Sequence, residues 1–232
     1  MGGVTIVFDL DGTLVDTAPD LVGTLNAVFG YEGLPAVPFE RARALIGGGA
    51  RRMIERGLAA EGRFVAPAEL ERLYGRFIEH YATHIADRSR PFPGLEAALD
   101  RLAEDGAGFA VCTNKLEWLS VKLLDALGLS GRFRAVCGQD TFGVQKPNPE
   151  VLRRTIQRAG GDAERTVMVG DSGTDIATAR AAGVPVVAVD FGYSEVPVAE
   201  LAPDRLISGY DQLPAAVEQA LAQARRAAVR AG

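Results

Sequence analysis

The sequence predicts an α/β protein: a doubly wound parallel sheet with a block of helices inserted after its first strand. Three observations carry this expectation. Five short runs rich in β-branched residues, VTIVF (4–8), FAVC (109–112), RAVC (134–137), TVMVG (166–170) and PVVAV (185–189), are continuous rather than alternating. Strands buried on both faces of a parallel sheet read this way. Helical periodicity separates the later runs, so strand and helix alternate over residues 108–190. Residues 17–90 break that rhythm, with helical patterns and no convincing strand.

Taken in order, the first run ends directly in carboxylates. Within the insertion, 21–29 and 70–85 read as helices, and Pro91-Phe92-Pro93-Gly94 marks the return to the core. The expected division is a core of residues 1–16 plus 91–232 and an all-helical cap of residues 17–90. The cap holds ten arginines against nine acidic residues and is the slightly basic part of an acidic protein. After the second run, apolar Leu116, Leu119, Leu123, Leu124 and Leu127 predict a helix over 116–127. Pro149, at a favourable first-turn position, predicts another over 150–159. Leu213, Val217 and Leu221, four apart, predict a packed terminal helix over 214–232, with Arg225, Arg226 and Arg230 favourably near its end.

The composition is that of an ordinary globular protein: 232 residues, 47% hydrophobic and 24% charged. Collagen-like, disordered and disulfide-dense classes are excluded. A net charge of −5 argues against a nucleic-acid partner. No run approaches the roughly 18 apolar residues of a membrane span, and no basic leader precedes the first apolar run, so the expected compartment is the cytoplasm. Cys112 and Cys137 each close an apolar run and read as buried, reduced thiols. Only three lysines, Lys115, Lys122 and Lys146, stand among the 25 basic residues.

Asp9 and Asp11, two apart on an extended segment, point to the same side. They sit at the carboxyl end of a buried strand, where open α/β sheets bind their ligands. Like charges paired there are costly without a cation. Asp171 and Asp175 follow another strand in the same manner. Carboxylates converging from separate loops suit Mg²⁺. Thr113 and Asn114 follow the strand ending at Cys112, and Lys146 precedes Pro147. A hydroxyl, backbone N–H groups and an ammonium would complete a site for a transferring phosphoryl group.

Asp9-Leu10-Asp11-Gly12-Thr13-Leu14-Val15-Asp16, Thr113-Asn114-Lys115, Lys146-Pro147 and Gly170-Asp171-Ser172-Gly173-Thr174-Asp175 resemble the four ordered motifs of the haloacid dehalogenase superfamily. The resemblance spans essentially the whole chain, and it implies a Rossmann-like core with a helical cap. It further implies that Asp9 is the nucleophile that forms an aspartyl-phosphate, and that Asp11 protonates the departing alkoxide and then deprotonates water. Thr113 and Lys146 would hold phosphoryl oxygens. Asp9, the backbone carbonyl of Asp11 and Asp171 would bind Mg²⁺, with Asp175 supporting that shell and Lys146.

Within the superfamily, Asp11 disfavours the halide-removing members, and the absence of lysine from residues 17–90 closes a Schiff-base route through the cap. The pattern is most similar to the phosphoglycolate phosphatases. A sugar-phosphate phosphatase or phosphomutase remains the alternative, and a phosphoryl-accepting signalling domain is disfavoured by the inserted cap. The expected partner is a small phosphorylated metabolite. In the cap, Gly47, Gly48 and Gly49 could bring backbone N–H groups to a substrate carboxylate. Arg51 belongs to a basic window, with Arg41, Arg43, Arg52 and Arg56, that would draw an anion; Gly48, Arg51 and Asn114 are therefore expected at the substrate. His80 and His84, four apart, read as ordinary helix-face histidines, and Trp118 as a residue that packs or lines a surface. Lys115 is expected near the site entrance and Lys122 in solvent. Asp16 is expected to cap the following helix or serve the hinge.

Overall fold

A computed structural model describes residues 2–231, and the side chain of Arg230 lies outside the described residues. In chain order the elements are β1 (Thr5–Phe8), β2 (Val15–Asp16), α1 (Ala18–Tyr31), α2 (Phe39–Arg43), α3 (Ala50–Ala60), α4 (Pro67–Thr83) and β3 (Arg90–Pro91). They continue with α5 (Leu95–Glu104), β4 (Gly108–Cys112), α6 (Glu117–Ala126), β5 (Phe133–Cys137), α7 (Pro149–Arg158), β6 (Thr166–Gly170), α8 (Gly173–Ala182), β7 (Val186–Val189), β8 (Arg205–Ile207) and α9 (Leu213–Ala231).

The sheet has six parallel strands in the order β5-β4-β1-β6-β7-β8. The chain builds outward from β1 in one direction through β4 and β5. It then returns to β1's other edge and builds in the opposite direction, so the reversal point flanks β1. The continuous apolar runs are explained by this layering. Ile6 and Phe8 of β1 belong to one core layer and Val7 to the other. Helices α7 and α8 cover the second layer, through Val151, Leu152, Ile156, Ile176 and Ala179. Cys112 and Cys137 lie there, both free and buried, and burial pushes the Cys112 thiol up to about 12. Helices α5, α6 and α9 line the first layer.

Five predicted strands are present, but β8 is a sixth. Its sequence, RLI, leaves one side chain buried, one half-buried and one exposed, so it has none of the continuous apolar character that marks the inner strands. The β2–β3 pair is a second addition, two residues on each side and antiparallel, with Asp16 opposite Arg90. It joins the ends of the helical stretch: the chain leaves for α1 immediately after β2 and returns through β3. Asp16 does not cap α1. The residue at the cap position is Thr17, which makes no side-chain capping bond, because Asp16 is held extended in β2. Its carboxylate instead accepts a hydrogen bond from the Tyr193 hydroxyl.

Tyr210, just beyond β8, donates from its buried hydroxyl to the Thr13 carbonyl at 2.6 Å. That bond ties the far edge of the sheet to the loop after β1. Tyr210→Phe keeps the ring but leaves the carbonyl unpartnered, and urea unfolding should show a loss of about 1–3 kcal/mol; an unchanged midpoint would mean the carbonyl is satisfied by another donor.

Candidate active site

Parallel strands place their following loops on one edge of the sheet. The loops after β1, β4 and β6 therefore bring Asp9, Thr113 and Asp171 together, and the loop after β5 carries Lys146 to the same point. Asp9 is held by its own backbone, its N–H donating to the Val169 carbonyl at 2.9 Å. Lys146 Nζ lies 2.9 Å from Asp9 Oδ1 and 2.6 Å from Asp175 Oδ1. Burial alone would push this ammonium down, but Asp175 and Asp9 more than offset that and hold it raised.

Asp175 has a second task. Its Oδ2 accepts from Ser172 Oγ and Ser172 N while the Ser172 hydroxyl accepts from the Asp175 N–H, a reciprocal capping box that starts α8. One carboxylate thus fixes both a helix terminus and the lysine. Asn114 fixes the lysine from the other side. Its side-chain oxygen accepts from the Lys146 N–H at 2.9 Å, and its amide nitrogen donates to the Lys146 carbonyl at 3.1 Å. Asn114 borders the cavity, but its amide is committed to the Lys146 backbone instead of being directed at a ligand.

Asp171 is gripped by both oxygens: Oδ1 accepts from the Thr13 hydroxyl at 3.0 Å and Oδ2 from the Tyr193 N–H at 2.7 Å. Burial first, then the negative charges of Asp175 and Asp9, push its carboxyl up to about 8. Burial pushes Asp9 up to about 6, against the opposing pull of Lys146. Gly12 is required at φ +82°, and a Cβ there would lie 2.5 Å from Asp171 Oδ2. One oxygen from each of Asp9, Asp171 and Asp175 lies within 4.8 Å of the others.

Asp11 is outside that carboxylate cluster. Its two oxygens face Lys115 Nζ at 2.9 and 3.0 Å. Lys115 is buried, not at an entrance, because α4 of the helical stretch lies across it: Nζ is 4.5 Å from the centre of the Tyr81 ring. Burial would lower this ammonium, and Asp11 holds it raised. Burial likewise pushes Tyr81 up to about 12, keeping the phenol protonated.

Gly47, Gly48 and Gly49 border the same cavity at φ +120°, +77° and +90°, a run only glycine adopts readily. Arg51 does not border it. Its Nε and Nη2 each lie 2.7 Å from Glu71 and its guanidinium stacks 3.8 Å over Tyr74, so its donors are satisfied on the outer surface. Two other arginines of that basic window reach across to the core: Arg43 donates to the carbonyls of Phe191 and Gly192, and Arg56 pairs with Glu195. Their charge docks helices against the loop after β7. His80 and His84 stack at 4.2 Å, with His80 bonded to Thr24, away from the carboxylates. Trp118 is 47% exposed and Lys122 is in solvent.

Tyr193, Tyr81 and the pairing of Lys115 were not identifiable from motifs. Tyr193 lies 22 residues beyond Asp171, and its one local signal is the adjacent Gly192, whose missing Cβ makes room for the Asp171 carboxylate.

The chain matches the haloacid dehalogenase-like hydrolase family over residues 6–189. It belongs to that family, as one of its phosphatases. It is 50% identical over 219 residues to a phosphoglycolate phosphatase of Mesorhizobium japonicum, covering 94% of this chain and 96% of that one. It is 48% identical over 216 residues to a phosphoglycolate phosphatase of Caulobacter vibrioides, covering 93% and 91%. A crystal structure described as a predicted phosphoglycolate phosphatase from Haemophilus somnus superposes with a TM-score of 0.83 at 27% identity, covering 91% of this chain and 96% of that one.

Lys146 is the shared counter-charge of two buried carboxylates. Lys146→Met removes it and leaves them uncompensated, so denaturant unfolding in chelator should show a loss of about 3–5 kcal/mol; a variant as stable as the parent would mean that the carboxylates are neutralised in another way.

Proposed function

We propose that the protein is a Mg²⁺-dependent phosphomonoester hydrolase acting through an aspartyl-phosphate on Asp9, with 2-phosphoglycolate as its substrate. The observation that carries this is Asp9 on a cavity wall, with the Lys146 ammonium 2.9 Å away and Asp11 and Thr113 on the same wall. The two relatives named phosphoglycolate phosphatase support the substrate.

The residues fit a divalent cation. Asp9, the backbone carbonyl of Asp11 and Asp171 would offer oxygen donors only, the set that hard Mg²⁺ prefers, and Asp175, within reach of Asp9 and Asp171 but with its oxygens facing Lys146 and Ser172, would support them. Burial also raises Asp9 and Asp171 well above the usual carboxylate range when no cation is near. Bound Mg²⁺ would offset negative charge on the phosphoryl oxygens.

Asp9 Oδ attacks phosphorus in line as the bond to the substrate's ester oxygen breaks. Asp11, entering as the acid, gives its proton to that oxygen. Asp11, now a carboxylate, takes a proton from water as the water oxygen attacks phosphorus, which releases phosphate and restores Asp9. Thr113 and Lys146 hold the non-bridging oxygens, and Lys115 keeps Asp11 in place. Asn114 and Asp175 position Lys146. The helices of residues 17–90 act as a cap that excludes water, with β2 and β3 as its connectors to the core of residues 1–16 and 91–232. Free, buried thiols fit the cytoplasm, and among the described residues no helix is long and apolar enough to cross a membrane.

Asp9→Asn should lower multiple turnover by roughly 10³-fold or more with a metal-free thermal melt no lower than the parent's; appreciable residual turnover would remove Asp9 as the nucleophile. Chelation of Mg²⁺ should stop the reaction and re-addition restore it, whereas metal-independent turnover would contradict the carboxylate site. Across a panel of phosphomonoesters, kcat/KM should be highest for 2-phosphoglycolate, and a flat profile would mark a generalist.

A further inference from the structure

The phosphoryl chemistry leaves several groups of the cavity wall without a contact to substrate. The Tyr81 hydroxyl is buried in the cavity wall with Lys115 beside it, and its proton is donated to no protein group. Buried polar groups are nearly always paired, so an orphan in a cavity wall marks a place where a partner binds. The other orphaned side-chain atom among the described residues, Thr17 Oγ1, is not in that wall. Beside Tyr81 stands Lys115, whose ammonium lies between the Tyr81 ring and the Asp11 carboxylate. Lys115 and Lys146 are the cations bordering the cavity; Lys146 is paired with Asp9 and Asp175 and Lys115 with Asp11. Helix α3 completes the group. It is eleven residues long, no side chain caps its start, and Gly48, Gly49 and Ala50 at that start border the cavity. Uncapped first-turn N–H groups carry partial positive charge and favour an anion.

We propose that the Tyr81 hydroxyl, Lys115 and the amide end of α3 form a second anion site, which takes the carboxylate of a short phosphorylated acid whose phosphoryl group lies at Asp9. The proposal rests on the phosphomonoesterase reading and sharpens it into a substrate class: two anionic groups separated by very few carbons. The tyrosine donates its hydroxyl proton to a carboxylate oxygen, and the lysine supplies the opposite charge. Apolar Leu21, Met53, Phe77 and Ile78 in the same wall keep the ion pair out of water, where it is stronger. Tyr81 and Gly49 come from the inserted helices and Lys115 from the loop after β4, so a bound carboxylate bridges cap and core. Arginine, expected in this role, does not border the cavity.

The test compares kcat/KM for 2-phosphoglycolate, 3-phosphoglycerate and ethyl phosphate, which has no carboxylate, in the full-length enzyme and in Tyr81→Phe and Lys115→Met. Phenylalanine preserves the ring under Lys115 and removes a hydroxyl that donates to no protein group, so the thermal melt of ligand-free Tyr81→Phe should stay close to the parent's. The preference for the favoured carboxylate-bearing ester over ethyl phosphate should fall about tenfold in Tyr81→Phe, chiefly through KM, and further in Lys115→Met. If the parent prefers 2-phosphoglycolate and both variants keep that preference, or lose all substrates equally, the second site is overturned and the substrate reading stands. If the parent prefers 3-phosphoglycerate and Tyr81→Phe erases that preference, the site stands and 2-phosphoglycolate falls. A parent with no preference for a carboxylate removes both.

Discussion

Three carboxylates, half-buried Asp9 and buried Asp171 and Asp175, lie within reach of one another, and one ammonium, Lys146, pairs with Asp9 and Asp175. Gathering negative charge away from water is the costliest feature of the fold, and much of the local structure offsets it. Asp171 accepts from Thr13 and Tyr193, Asp175 closes the capping box of α8, and Asn114 clamps the backbone of Lys146. Gly12 and Gly192 stand where a Cβ would strike the Asp171 carboxylate. The arrangement leaves Asp9 and Asp171 with raised carboxyls, and a residual charge imbalance of this kind is what a divalent cation and a phosphoryl group would neutralise together.

A second ion pair, Lys115 with Asp11, repeats the theme nearer the inserted helices. Tyr81 on α4 covers it, and the glycine run before α3 comes close to Asn114 and Gln139 of the core. Farther along the same junction, Arg43 and Arg56 hold the loop after β7, whose Tyr193 touches Asp171, Asp16 and Ala18 at once. The grip of the helices on the core and the grip of the core on Asp171 thus pass through one tyrosine. This gives the basic window of the insertion a structural use: two of its five arginines, Arg43 and Arg56, join the inserted helices to the core.

Much of this was legible in the chain itself. The inner strands announce themselves because burial on both faces demands continuous apolar residues, and Asp9, Thr113, Lys146 and Asp171 fall directly after strands or within short motifs. Strand β8 was not legible, since at the sheet edge the demand for apolar residues relaxes. The scarcity of lysine carried more meaning than its count suggested. Two of the three lysines are buried against carboxylates in the cavity wall, and the third is in solvent.

The sequence by itself determined the family, the parallel sheet, the inserted helices and the acidic motifs that follow the strands, because each is written in local spacing and in the residue types that burial requires. Which side chains meet was decided only by the tertiary structure. Arg51 turns to Glu71 on the surface, Lys115 is enclosed between Asp11 and Tyr81, and Tyr193 reaches Asp16 across 177 positions of sequence. Such pairings depend on how helices pack over a sheet edge, and no local pattern encodes that.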